Sequence, residues 1–410
     1  MIWSNLLHIY QPPNWDKKII KKVAKESYQP ILNILEKNPA IKITLNINAS
    51  LTEQLVACGY KNIINQIKNL AQKEQIEFTH SAKFHLILPL YSLKTIERQI
   101  RLNQKTNLKY FGKVYQPKGF FPPEMAWHNK LIPILKKFAI EWVALDEICA
   151  RGDLGKISFD QGYQSKKENI KFIFRNRKIS DYFIFEPETK NINKFFSNIK
   201  KEKRGQKILI SAMDGENLGH HRPGADKIWQ KLMTNKKVKS MNYTSLLKEY
   251  NQFKKIKSVP GSWSSEVKEI KNNIPYALWK NHNNPIHKIQ WQLNNKVISL
   301  FKLAKKRKDK NIHKTQKMLD RALASDKFWW ASMRPWWDYE IIIRESKELY
   351  NVILALESLK TEEKKSAKKI FKELKENTTK YEKQGLAKEN IKKYLNKIGF
   401  IPKMGGEKII

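Results

Sequence analysis

Residues 118–127 read KGFFPPEMAW, and the reading of this stretch decides the rest of the chain. Phe120 and Phe121 have the apolar character of a buried strand, whereas Pro122 and Pro123 carry no backbone N–H, so a strand ladder must stop before Glu124. A carboxylate is thereby delivered at a strand's end, facing out of it. Taken alone, such a Glu is more often a loop or helix-capping carboxylate, and its meaning depends on what other strand ends carry.

The same pattern recurs on both sides. Residues 2–9 form a short apolar run stopped by Pro12 and Pro13, which predicts a buried strand with His8 near its C-terminal end. Residues 41–47 predict a second strand ending at Asn46 and Asn48, and residues 76–79 a third that carries Glu77 and leads to His80 and His85. Helices are predicted over 16–36, kinked or split at Pro30, from a Ser50/Glu53 capping box to about Lys73, and from about Leu93 to Tyr110. After the opening stretch come a helix from about Asn129 and strands over 141–145, 170–174 and 207–212. These deliver Asp146 and Glu147, Arg175 and Arg177, and Asp214 and Glu216 in turn.

Seven apolar strands separated mostly by helices predict a parallel β/α architecture. If the strands curl into a ring, His8, Asn48, Glu77, Glu124, Asp146, Arg175 and Asp214 gather at one face, because parallel strands share their C-terminal end. An open doubly wound sheet would scatter them, and the chain has no GxGxxG loop to mark a nucleotide site. The expected fold class is α/β, a (β/α)7 barrel distorted from the TIM form and followed by a C-terminal α-helical domain. The barrel is assigned to residues 1–258 and the helical domain, completing the substrate cleft, to 259–410. The latter opens on the loop SVPGSWSSE, residues 258–266, and continues with helical periodicity over 285–307, 312–326, 339–359 and 362–380. Trp329, Trp330, Trp336 and Trp337 lie within it and suit either a helix-bundle core or a sugar-stacking wall.

Composition narrows the function classes. The formal net charge is +40, yet the lysines are spread along helical stretches with no nucleic-acid motif beside them, so no specific nucleic-acid partner is expected. The two cysteines, Cys58 and Cys149, make no metal-ligand spacing. No run of about 18 apolar residues occurs and the N-terminus lacks a basic leader region, so the expected setting is cytoplasmic, with no membrane partner.

The second carboxylate cluster is SAMDGENLGHH, residues 211–221, at the end of the seventh strand. A general acid must keep its proton near neutral pH, which requires apolar surroundings or a neighbouring negative charge. Asp214 has an apolar strand before it, Glu216 two residues on, and Glu124 across the ring. Two opposed carboxylates are the apparatus of glycoside cleavage with retention. His8, Glu77 and His220 then either bind sugar hydroxyls, orient the carboxylates or are structural. A metal reading of His8, His85, Asp146, Asp214, His220 and His221 lacks the HxxxH or HxxEH spacing of a helical zinc site, and no metal or other cofactor is expected.

In order, LLHIYQPP, IEFTHSAKFHLILPL, GFFPPEMAW, WVALDE and SAMDGENLGHH resemble the ordered motifs of glycoside hydrolase family 57, over roughly residues 1–350. The resemblance implies a (β/α)7 barrel followed by helices, with Glu124 on the catalytic nucleophile, Asp214 on the acid/base, and His8 and Glu77 at positions lining the substrate site. The wider set of candidate substrate-binding residues comprises these two with Gln11, His85, Trp127 and Asp146. His220, Trp263, Asp326 and Trp329 complete it. Departures from the family pattern are Tyr10 where a second His is frequent, and the Phe120, Phe121 pair where a tryptophan often precedes the nucleophile. A third is Asp326 followed by Phe328, Trp329 and Trp330 in place of Asp-Trp-His-Gly. The implied activity is that of a retaining α-glycosidase or transglycosidase on α-1,4-glucans or maltooligosaccharides. Alternatives are a metal-dependent polysaccharide deacetylase on a related barrel and a glucan-binding protein without turnover. Both carboxylates are present, which argues against an inactive homologue.

Overall fold

The computed structural model describes residues 1–185, 192–203, 205–398, 403–404 and 407–408. It divides into one unit built on Met1–Pro275 and a second built on the helices from Tyr276 onward. The boundary therefore falls after Pro275 rather than 258, and the loop over 258–266 belongs to the first unit.

Among the described residues, ten strands form the sheet of the first unit: β1 (Ile2–Ile9), β2 (Ile43–Ile47), β3 (Ile76–His80), β4 (Gly119–Phe120), β5 (Trp142–Asp146), β6 (Gly162–Ser165), β7 (Lys171–Arg175), β8 (Ile208–Asp214), β9 (Lys239–Met241) and β10 (Phe253–Ile256). The parallel path β8-β1-β2-β3-β4-β5-β7 contains the seven strands expected from the sequence. The other three are short and polar. β6 runs antiparallel to β7, β10 pairs with β6, and β9 pairs with β1. Their residues, GYQS, FKKI and KSM, contain no apolar run by which a sequence reading could find them.

The ring is curled but open. The described β7 and β8 share no ladder, and the seam between them is held by three separate contacts. Asn176 N donates to Ile210 O at 2.8 Å, Ala212 N donates to Ser180 Oγ at 3.1 Å, and Arg175 Nη1 donates to Ala212 O at 2.9 Å.

Alternation along the strands separates two surfaces. Leu7, Ile9, Leu45, Ile47, Phe78, Leu209 and Met213 pack outward in one core with Val23, Leu35, Ile63, Ile67 and Trp229 of the surrounding helices. Full burial of each such side chain contributes about 1.5–3 kcal/mol. The inner face carries Leu6 and His8, Thr44 and Asn46, Ala212 and Asp214, paired across neighbouring strands. The segment after β9 plugs its floor. Tyr243 N donates to Thr44 Oγ1 and Tyr243 OH to Ser211 O, Trp142 Nε1 donates to Thr244 Oγ1, and Thr244 N donates to Glu77 Oε2 at 3.1 Å. Glu77 is thus corrected from the mouth to the floor. The register sets it beside Thr44, which in turn pairs with Leu6, two residues before His8.

Two helix expectations also change. Asn48, not Ser50, is the N-cap of the helix Ala49–Ala57, and Ser50 is buried within its first turn. That helix is separate from Lys61–Gln72, because Gly59 at φ +90° turns the chain between them. Pro30 is the second residue of Gln29–Lys37, but the helix runs into that segment from Tyr28, so its missing N–H removes one bond from the ladder, and the irregularity stands just before it as a π-helical turn over Ala24–Tyr28.

In the second unit, Pro285–Lys306, Tyr339–Leu354 and Thr361–Lys383 pack together, with Ile312–Ala322 against Tyr339–Leu354 and Leu386–Ile398 against Thr361–Lys383. Its four clustered tryptophans are half-buried, and Trp329 stacks on Trp336 at 4.3 Å. No described helix is long and apolar enough to cross a membrane.

Gly119 is a steric requirement of β4. A Cβ there would lie 2.1 Å from Cζ2 of Trp142, whose ring is wholly buried. Gly119→Ala is expected to cost about 3 kcal/mol or to prevent folding, measured by urea denaturation.

Candidate active site

β4 ends at Phe120, and the prolines after it force the chain through an irregular turn in which Glu124 (φ 59°) and Met125 (φ 47°) are both left-handed. Such a conformation costs on the order of 1–3 kcal/mol per non-glycine residue and persists only where surrounding contacts impose it. Here Phe121 N donates to His80 O, and Trp127 forms an antiparallel bridge with Gly261. The Glu124 side chain is 19% exposed. Its Oε2 accepts a 2.7 Å hydrogen bond from Trp263 Nε1, while Oε1 lies 3.8 Å from His85 Nδ1.

That histidine is the end of a chain with one consistent set of protons. Asn46 Nδ2 donates to Thr79 Oγ1, so Asn46 Oδ1 accepts from His8 Nδ1 at 2.6 Å. His8 Nε2 then accepts from His85 Nε2 at 3.1 Å, which leaves His85 Nδ1 as a lone-pair acceptor turned toward Glu124. Burial lowers the pKa of His8 to about 4 and drives that of His85 well below the usual value, helped by His8 itself. The His85–Glu124 approach is therefore no ion pair. His8 stacks on Phe121 at 4.7 Å and Tyr10 stacks on His85 at 3.9 Å. Phe121 is wholly buried and meets Trp263 edge-on.

Asp214 ends β8 in register with His8. Its pKa is pushed well above the carboxylate range by burial, by the Glu216 charge and by the Glu124 charge, with Arg175 pulling the other way. Glu124 and Asp214 thus share one electrostatic environment at the mouth of the half-barrel. Glu216 differs. It is buried, and its Oε1 accepts from Tyr28 OH at 2.5 Å, Tyr10 N at 3.1 Å and Gln11 Nε2 at 3.2 Å.

Residues 4–260 match the profile of glycosyl hydrolase family 57. The chain belongs to glycosyl hydrolase family 57. An alpha-amylase of Pyrococcus abyssi is 26% identical over 218 residues, covering 52% of this chain and 32% of that protein. A 4-alpha-glucanotransferase of Thermococcus litoralis is 23% identical over 259 residues, covering 60% and 38%. The chain thus spans about a third of the length of these curated relatives. Among solved structures, a GH57-type branching enzyme from Pyrococcus horikoshii has the same fold with a TM-score of 0.69 at 17% identity, covering 90% of this chain and 94% of that one. The T. litoralis glucanotransferase aligns with a TM-score of 0.65 at 18% identity, over 88% of this chain and 58% of that one.

The remaining residues singled out in this family 57 chain divide clearly. Glu124, Asp214, His85 and Trp263 meet at the mouth, with His8 behind His85, both its ring nitrogens engaged within the protein. Gln11 is buried and locks Glu216, and Trp127 is fully buried with Nε1 donating to Ser258 Oγ, so neither faces a cleft. His220 pairs with Glu26 at 2.6 Å. Asp326 begins a one-turn helix of the second unit, and Trp329 ends it. Among the described residues no three His, Cys, Asp or Glu side chains gather so as to hold a metal ion.

Asp146 is corrected from sugar contact to internal counter-ion. It is fully buried, and its oxygens accept from Arg175 Nε at 2.7 Å and Arg177 Nη2 at 2.6 Å. Burial alone would raise its pKa, but the Arg177 and Arg175 charges outweigh it and hold the carboxyl below its usual range. Those arginines in turn hold the loop that carries Trp263. Arg177 donates to Ser265 O at 2.7 Å and Ser262 O at 3.2 Å, and Arg175 donates to Trp263 O at 3.4 Å and lies over its ring. Arg175, Arg177, Tyr10 and Tyr28 were not among the residues marked for substrate. The arginines were visible only as polar strand ends, and Tyr28 sits in helical sequence with no signal at all.

Asp146→Asn removes the buried carboxylate that Arg175 and Arg177 share, leaving Arg175 only its 3.3 Å pair with Asp181. A loss of about 3–5 kcal/mol is expected in chemical denaturation, whereas Glu362→Gln, which breaks the exposed pair with Lys365, is expected to change stability by about 1 kcal/mol or less.

Proposed function

We propose that the chain cleaves or transfers α-1,4-glucosidic bonds with retention, using Glu124 as nucleophile and Asp214 as acid/base. The observation that carries this reading is the contrast between the two carboxyls. Burial, the Glu216 charge and the Glu124 charge raise the Asp214 pKa well above the carboxylate range, while Glu124 accepts a hydrogen bond from Trp263. The relatives named alpha-amylase and 4-alpha-glucanotransferase support the substrate class.

In the first step a Glu124 oxygen attacks the anomeric carbon, the bond from that carbon to the glycosidic oxygen breaks, and the leaving oxygen takes the Asp214 proton. The Asp214 carboxylate then removes a proton from water or from a sugar hydroxyl, whose oxygen displaces Glu124. Water gives hydrolysis and a sugar gives transfer. His85, neutral with an acceptor nitrogen beside Glu124, suits a sugar hydroxyl, and Tyr10 over its ring suits an apolar sugar face.

Glu124→Gln and Asp214→Asn are each expected to lower turnover of maltoheptaose by at least about a hundredfold. Full activity in either variant overturns the assignment. Product lengths from the parent separate hydrolysis from transfer.

Activity is expected to fall as pH rises through the Asp214 pKa, because the acid then loses its proton. Glu216→Gln removes a negative neighbour while a carbonyl oxygen can still accept from Tyr28, Tyr10 and Gln11, so the basic limb of the pH profile is expected to move to lower pH. The same raised pKa has a stability consequence. The Asp214 contribution is fully present below about pH 3.9 and is lost as pH rises through the folded-state value. Asp214→Asn is therefore expected to melt above the parent at neutral pH, with the two melting curves converging as the pH approaches about 4.

A further inference from the structure

We propose that the π-helical turn Ala24–Tyr28 is the device that positions the loop carrying the acid/base, with Glu26, Ser27 and Tyr28 as positioning residues. This rests on the assignment of Asp214 as the acid/base.

The turn interrupts an otherwise regular helix between Val23 and Gln29, whose N–H reaches back five residues to Ala24 O. Such single π turns concentrate at functional sites because they redirect side chains without ending the helix. Here three consecutive residues all reach one loop. Glu26 Oε2 pairs with His220 Nδ1 at 2.6 Å, Ser27 Oγ donates to Gly215 O at 2.9 Å, and Tyr28 OH donates to Glu216 Oε1 at 2.5 Å. Three successive residues of an α-helix point in directions spread widely around its axis and would not address one segment. Backbone meets backbone as well. A Cβ on Gly219 would lie 2.0 Å from Glu26 O, and Gly219 stands at φ +116°, so only glycine permits this approach. The loop is pinned at Gly215, Glu216, Gly219 and His220, while Asp214 remains in the β8 ladder beside His8. The carboxyl of Asp214 is thus located by a strand on one side and by the turn on the other.

The turn also governs charge at the site. The groups facing Asp214 are Glu216 on its own loop, Glu124 across the mouth, Arg175 from the end of β7, and Tyr28. His8 on the adjacent strand is neutral. Burial raises the Glu216 pKa, and its donors Tyr28, Tyr10 N and Gln11 pull it back toward the anion whose charge helps Asp214 retain its proton. The Tyr28 bond is the shortest of the three. Removing that hydroxyl weakens Glu216 as an anion and releases the Asp214 proton at lower pH.

The test is the pH dependence of kcat on maltoheptaose for Tyr28→Phe, which keeps the ring in the core, beside the parent and Asp214→Asn. The basic limb is expected to move to lower pH by about 0.3 unit or more, a readout that a purely packing role would not shift. A smaller shift, or one to higher pH, with Asp214→Asn inactive, overturns the inference and leaves the proposed function standing. An active Asp214→Asn overturns the proposed function itself. Ser27→Ala supplies an independent measurement should Tyr28→Phe fail to fold. A fall of about threefold or more in kcat with KM within about twofold supports positioning, and a parent-like kcat overturns it.

Discussion

The carboxylate of Asp146, buried between Arg175 and Arg177, is the constraint on which the mouth of this half-barrel depends. Parallel strands that do not close into a full ladder leave a seam, and a seam leaves backbone groups in need of partners. Arg175 spans this one, reaching Ala212 O on β8 and Trp263 O on the loop after β10. Two guanidinium groups would be costly to bury without a counter-ion, and Asp146 supplies it from the adjacent strand end. One buried charge cluster therefore holds the seam and the loop that donates to Glu124. It also places a positive charge near Asp214.

Against this charged wall stands a neutral one. His8 and His85 are too deeply buried to hold protons on both ring nitrogens, and the Thr79–Asn46–His8–His85 chain sets which nitrogen carries the hydrogen. The result is an acceptor beside Glu124 rather than a cation, so Glu124 is stabilised by the Trp263 hydrogen bond and not by an ion pair with histidine. On the opposite side Glu216, fixed by three donors, leaves Asp214 as the carboxyl that retains its proton. Burial first, and then the like charges of Glu216 and Glu124, raise the Asp214 pKa well above the carboxylate range.

Much of this was legible in the sequence, for identifiable reasons. The seven strands of the main path announce themselves as apolar runs ended by proline or polar residues, because strands that bury their outer face under helices must be apolar there. The strand-end residues Glu124, Asp214, Asp146, His8 and Arg175 follow from parallel pairing. Their roles did not follow. Glu77 reads like the other strand carboxylates but lies in the floor, since register rather than residue type sets its depth. Trp127, two residues after Met125, reads as a candidate substrate-binding residue and is instead sealed against Ser258.

The sequence by itself determined the strand order of the chain, the positions at which polar groups leave each strand, and the family to which the chain belongs, because these depend on local pattern and on short motifs. Only the tertiary structure decided which of those polar groups face the mouth, which neutralise one another inside, and that a π turn before Pro30 and a loop after Ser258 complete the surroundings of Asp214 and Glu124. The reason is physical. A side chain's protonation and availability are set by the charges and donors that surround it in space, and here Tyr28 meets Glu216 across 188 positions of sequence, and Trp263 meets Glu124 across 139.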